Sequence, residues 1–138
     1  MSKKLVIFTD GGARGNPGPA GAGVAMFEET GKSVVATYKK YLGETTNNVA
    51  EYSAVILALE EAKKLEAEEL VFFLDSELVV KQLNGEYKVK NQELGKLFIK
   101  IHNLRQQFKK ITFQHVRREQ NKLADKLVNQ AIDSANLS

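Results

Sequence analysis

The 138-residue chain has no cysteine and no tryptophan, and only two prolines, two methionines and two histidines. Each shortage closes a route. Without cysteine there is no disulfide scaffold, no thiolate zinc site and no cysteine nucleophile. The same absence fits a reducing compartment. No apolar run approaches the roughly 20 residues that a membrane-spanning helix requires. Met1-Ser2-Lys3-Lys4 leads straight into a strand-like run, so a signal peptide is not expected. These absences together predict a soluble, cytoplasmic protein with no membrane partner.

What remains is ordinary in amount and uneven in arrangement. Hydrophobic residues make up 43% and charged residues 27%, values typical of a globular chain of one domain with a self-sufficient core. The net charge of +3 hides a strong segregation. Residues 44–77 carry two Lys/Arg against nine Asp/Glu, whereas residues 78–126 carry twelve against four. A polyanion met beside a cluster of carboxylates is one reading, and two solvated faces of opposite sign are the other.

Lys4 to Thr9 reads as a strand closed by a turn at Asp10-Gly11-Gly12. Six of the ten glycines and both prolines fall within residues 11–23, so Gly11 to Pro19 is expected to be a rigid, irregular loop. Gly21 to Glu28 and Ser33 to Leu42 complete an antiparallel meander around a turn at Glu29–Lys32. Thr45, Thr46, Asn47 and Asn48 offer four caps for a helix over Val49–Leu65. Val71–Leu74 is an apolar run suited to a strand buried on both faces. Helices are expected near Leu78–Leu83 and Gln92–Gln107, a strand at Ile111–Val116, and a last amphipathic helix from Asn121 onward. A meander followed by strand–helix alternation implies an α/β fold with a mixed sheet and helices on its faces.

Asp10 follows the first strand and Asp75 the fourth. If those strands are parallel, both carboxylates enter the crevice beyond the strands' carboxyl ends, where ligands bind in open α/β sheets. Turn initiation or helix capping remains an alternative for each taken alone. Glu51 shares a helical stripe with Val55, Ala58 and Ala62, which face the core. Glutamate is rarely buried unpaired. A place in the helix's first turn would gain from the helix dipole, but equally so on the exposed face. Its inward direction calls for something else, and a bound cation would supply it. Asp125 opens the last helix on the stripe of Val128 and Ile132. Four such carboxylates repel one another unless a cation neutralises them, and an all-oxygen donor set suits Mg²⁺ or Mn²⁺. His102 and His115 are expected to be structural or solvent-facing.

Four segments now carry a resemblance. Phe8-Thr9-Asp10-Gly11-Gly12 with Arg14-Gly15-Asn16-Pro17-Gly18-Pro19-Ala20-Gly21 comes first, then Thr45-Thr46-Asn47-Asn48-Val49-Ala50-Glu51. Leu74-Asp75-Ser76-Glu77-Leu78-Val79 and Arg118-Glu119-Gln120-Asn121-Lys122-Leu123-Ala124-Asp125 follow. In this order they resemble the signature of the type 1 ribonuclease H family, over essentially the whole chain. The resemblance implies one domain over residues 1–138 and a ribonuclease H-like five-stranded mixed sheet of order 3-2-1-4-5, strand 2 antiparallel, with helices on both faces.

It also implies an endonuclease that cuts the RNA strand of an RNA–DNA hybrid duplex and leaves 5′-phosphate and 3′-hydroxyl ends. Asp10, Glu51, Asp75 and Asp125 become ligands of two Mg²⁺ ions, with Mn²⁺ as a substitute and Asp10 bridging. Gly11, Gly12, Arg14, Gly15, Asn16, Thr46, Asn47 and Asn48 become substrate contacts; asparagine amides can both donate to and accept from a 2′-hydroxyl. Thr46 or Asn48 could instead cap the helix. No obligate protein partner is implied, and a monomer is expected.

The chain departs from the family pattern in three places. The segment Leu83–Lys90 is too short for the basic protrusion of many relatives, leaving Lys88 and Lys90 as scattered cations. Glu77 stands where some members have glutamine and adds negative charge. The histidine loop before the last aspartate is missing, which makes Arg118 the candidate for charge stabilisation at the phosphate, with Glu119 next in line. Three rivals remain. A hybrid-binding module would need none of the carboxylates, an actin-like phosphotransferase needs two such domains, and an interaction protein would not carry so costly a cluster.

Overall fold

A computed structural model describes residues 3–136, except the side chain of Asn136. Met1, Ser2, Leu137 and Ser138, which the one-domain expectation also covers, lie outside the described residues. The elements run β1 (Lys4–Ala13), β2 (Gly18–Phe27), β3 (Val34–Thr45), α1 (Asn47–Lys64), β4 (Glu69–Leu74), α2 (Glu77–Leu83), α3 (Gln92–Arg105), β5 (Lys110–His115), a 3₁₀ turn (Arg118–Gln120) and α4 (Lys122–Asn136). They form one five-stranded sheet of order β3-β2-β1-β4-β5. β2 is antiparallel to β1 and β3, while β1, β4 and β5 are parallel. Among the described residues no helix is long and apolar enough to cross a membrane.

Strand alternation decides which side chains meet which helices. On one face Leu5, Ile7, Leu70, Phe72 and Leu74 are buried against Val55, Ala58, Leu59 and Ala62 of α1, with Leu94 and Ile101 of α3 closing that layer. On the other face α4 lays Ala124, Leu127, Val128, Ala131 and Ile132 across β2 and its neighbours. β4 is less symmetrical than its sequence implies. Val71 and Phe73 are only half-buried, and Phe73 stacks on Phe8 with ring centroids 5.0 Å apart. The helix starts are capped by side-chain oxygens: Thr46 accepts from Val49 N at 3.2 Å, Ser76 from Val79 N at 3.3 Å, and Asn91 from Leu94 N at 3.0 Å.

Two expectations need correction. Asp10-Gly11-Gly12 is not a turn but strand, since Asp10, Gly11 and Gly12 pair with Gly23, Ala22 and Gly21 of β2. Glycine's weak strand propensity is overridden here by the full ladder of a neighbouring strand. The irregular loop shrinks accordingly to residues 14–17. Glu51 is the other case. α1 begins at Asn47 and has no acidic residue in its first turn, so the helix dipole does not account for this carboxylate.

Candidate active site

The last parallel pair between β1 and β4 is Thr9 with Leu74. Asp10 and Asp75 each follow it by one residue, so the register brings them side by side where β4 has ended. Asp10, Glu51, Asp75 and Ser76 line one small pocket there. Asp10 also lines a neighbouring cleft of about 370 Å³ together with Gly11, Gly12, Arg14, Asn47, Arg118 and Asp125.

Two glycines set the approach of the helices that carry Glu51 and Asp125. A Cβ on Gly11 would overlap the Ala50 carbonyl and the Glu51 amide, so its absence lets α1 lie directly on β1. Gly23 is the cross-strand partner of Asp10, and a Cβ there would overlap the Ala124 carbonyl and come within 2.9 Å of Leu127 Cβ. One bare position thus seats Glu51 and the other seats Asp125, on opposite sides of the strand that carries Asp10. Gly11 serves this packing and also lines the cleft, where the resemblance gives it a substrate contact.

The electrostatics record the crowding. Burial first, then the charges of Asp75, Asp125 and Glu51, push the Asp10 carboxyl up to about 8. A side-chain hydrogen bond with Asp125 adds to the rise. Glu51 is pushed up to about 7, chiefly by burial, while a hydrogen bond from Ser76 works the other way. Glu51 Oε2 is buried and has no hydrogen-bond partner.

An all-oxygen donor set, one orphaned buried carboxylate oxygen and mutual repulsion around Asp10 fit a hard divalent cation. Among the described residues, no three His, Asp or Glu side chains stand close enough to hold one ion between them. The cluster is therefore gathered around Asp10 but not closed. His102 and His115 are exposed and line none of these pockets.

Beyond Asn47 the cleft continues into a polar groove lined by Asn16, Thr46, Asn47, Asn48, Asn91 and Glu93. Much of its hydrogen-bonding capacity is already used to build it. Asn47 Oδ1 accepts from Ala13 N at 2.7 Å, and Asn16 Oδ1 accepts from Asn47 N at 3.2 Å. Those two side chains keep their NH₂ donors for a ligand rather than both roles. The Thr46 hydroxyl oxygen is the helix cap. Arg14 is engaged as well, pairing with Asp133 at 2.7 Å and donating to Asn129 Oδ1 at 3.1 Å. Gly15 lies in the 14–17 loop with φ +100°, where a side chain would be strained. Lys88 and Lys90 are exposed in the segment between α2 and α3, next to Asn91, and line neither this groove nor the cleft.

Arg118 sits in the 3₁₀ turn and borders the cleft that holds Asp10 and Asp125. Neighbouring Arg117 pairs with Glu119 at 3.8 Å, whereas Arg118 makes no ion pair among the described residues. Glu77 turns away into a 3.0 Å ion pair with Lys81, which holds its carboxyl below the usual range. Asn91 and Glu93 escaped sequence reasoning, although Asn91 has the signature of a helix cap. Ser76 and Asn121 fell inside recognised segments, but only the structure gives them partners.

A family model described as reverse transcriptase-like matches residues 8–131. A bifunctional protein of Mycobacterium tuberculosis is 46% identical over 132 residues, covering 96% of this chain and 36% of its own length. The chain thus spans about a third of that relative. A ribonuclease H of Clostridium botulinum is 33% identical, with 98% of this chain and 99% of the relative covered. Among solved structures, LC11-RNase H1 in complex with an RNA/DNA hybrid superposes with a TM-score of 0.91 at 46% identity, covering 97% of this chain and 99% of the other.

Proposed function

The chain belongs to the ribonuclease H family, and from that premise we propose that it is an endoribonuclease that hydrolyses the RNA strand of RNA–DNA hybrids. One observation carries the reading. Asp10 is surrounded by Asp75, Asp125 and Glu51 at the open end of parallel strands, and the cleft it lines runs into an asparagine-rich groove. A purely binding surface gains nothing from a cluster of carboxylates that repels a phosphate.

Asp10, Glu51, Asp75 and Asp125 would hold two Mg²⁺ ions, or Mn²⁺ in their place. Divalent ions there would lower the pKa of the attacking water and stabilise the departing 3′ oxygen, giving 5′-phosphate and 3′-hydroxyl ends. Ser76 orients Glu51 by donating to its carboxylate. The free NH₂ groups of Asn16 and Asn47, with both functions of Asn48, would read the minor groove and the 2′-hydroxyl that marks RNA. Gly12 leaves the cleft floor bare for close approach of a backbone. Arg118 offers a fork of donors to a phosphate and cannot act as a base near neutral pH. Lys88 and Lys90 add attraction for the polyanion. The domain works as a monomer in this reading, and its cysteine-free sequence suits the cytoplasm.

Incubation with an end-labelled hybrid, an RNA duplex and a DNA duplex, each in Mg²⁺ and in EDTA, tests this reading. Cleavage of the hybrid's RNA strand in Mg²⁺ alone, with 5′-phosphate products, is the expected result. Hybrid binding without cleavage would make the domain a binding module instead.

A further inference from the structure

Asn121 is 1% exposed, a rare degree of burial for an asparagine. It joins three parts of the site. Its Nδ2 donates to the Thr9 carbonyl at 2.9 Å, across 112 positions of chain. Thr9 is itself 1% exposed and immediately precedes Asp10. The Asn121 amide donates to the Arg118 carbonyl at 3.0 Å, and its carbonyl accepts from the Asp125 amide at 3.1 Å. A single residue therefore ties the strand of Asp10 to the turn of Arg118 and to the helix of Asp125. We propose that Asn121 is a positioning residue that sets the distance of Asp125 and Arg118 from Asp10.

The chemistry supports this assignment over a filler of space. The bond from Asn121 to Thr9 reaches β1 through a side chain, whereas β1 there is paired with β2 and β4 through its own backbone. Asn121 Oδ1 is buried without a hydrogen-bond partner, so the residue accepts a desolvation cost at one end to make the bond at the other. A hydrophobic residue would fill the same volume without that cost, but it could not hold the turn in register.

The proposal rests on the endoribonuclease reading, and its test keeps the two apart. Wild type is first shown to cut a labelled hybrid in Mg²⁺; inactivity at that step defeats the earlier reading and not this one. Asn121→Ala is then assayed well below its own melting temperature. The expected result is a fall in kcat of about ten-fold or more, with KM and calcium-supported hybrid binding within about two-fold of wild type. A merely structural role would lower the melting temperature but leave kcat of the folded protein alone. Asn121→Asp is equal in size, sets a carboxylate against the Thr9 carbonyl, and replaces the alanine variant if that fails to fold. A double-mutant cycle with Asp125→Ala, followed in single turnover, gives the second readout. If Asn121 acts through Asp125, the double variant is within about two-fold of Asp125→Ala alone. Wild-type kcat in the Asn121 variants, or losses that multiply in full, would overturn the assignment.

Discussion

The cleft has two ends built on different terms. At the carboxylate end, Asp10, Glu51 and Asp125 are half-buried, and two bare glycines press their helices against the strand between them. At the groove end, Asn47, Lys88 and Lys90 are exposed, and several polar atoms serve the fold before they can serve a ligand. The first end stores repulsion, which a cation would relieve. The second stores almost none and attracts by summing weak contacts. In the proposed function, chemistry is concentrated where geometry is rigid, and affinity is spread where it is forgiving.

Removing a carboxylate should break the comparison at its strongest point. Asp75→Asn keeps the shape but removes a charge, and Mg²⁺-dependent cleavage should drop by at least ~10²-fold while hybrid binding in calcium survives. Near-normal cleavage would end the four-carboxylate account. Seating is the next lever. Gly11→Ala forces α1 off β1, with a stability cost of about 1–3 kcal/mol by analogy with overpacked cores and a matching loss of activity. Denaturant unfolding of Gly11→Ala beside Gly12→Ala checks it, because a Cβ on Gly12 meets nothing closer than 3.9 Å.

The burial and crowding of these carboxylates also have a sign in pH. Asp10 at about 8 and Glu51 at about 7 hold protons in the folded state that the unfolded chain releases near ~4. These two groups therefore make the metal-free protein less stable as pH rises from roughly 4 toward 8. Asp10→Asn should flatten that decline and melt higher than wild type at pH ~8 in EDTA. Parallel melting curves for the two proteins between pH ~5 and ~8 would contradict it.

Smaller effects belong to Arg118 and to the lysines. Arg118→Ala should lower kcat about ten-fold, near 1.4 kcal/mol, with a smaller change in KM; Arg117→Ala should do much less. Equal single-turnover and steady-state rates for Arg118→Ala and wild type would pass the role to Glu119. Lys88→Ala with Lys90→Ala should reduce the log–log salt slope of hybrid binding by about 0.7–0.9 per lost contact, without altering the products. An unchanged slope would move the nucleic acid away from the segment joining α2 to α3.

Much of the fold was legible in the chain. The stripe of Val55, Ala58 and Ala62 marked Glu51 as inward, and the strand ends marked Asp10 and Asp75. The glycines between residues 11 and 23 misled, because local propensity reads Gly11, Gly12 and Gly18 as loop while a neighbouring strand makes them ladder. Arg14 and Asn47 looked free as letters and turned out to be engaged, since their partners Asp133, Asn129 and the Ala13 amide are remote in sequence or in the backbone.

The sequence by itself determined which residues lie inward, the mixed sheet they build, and the all-oxygen character of the site. Periodicity and residue chemistry are local properties, and they survive being read one residue at a time. Only the tertiary structure decided how near the carboxylates come, that Gly11 and Gly23 are the seats of two helices, and that Asn121 ties Thr9 to the Arg118 turn. Each of those depends on backbone atoms of distant segments meeting within a few ångströms. Such distances follow from the packing of whole elements, and no local pattern carries them.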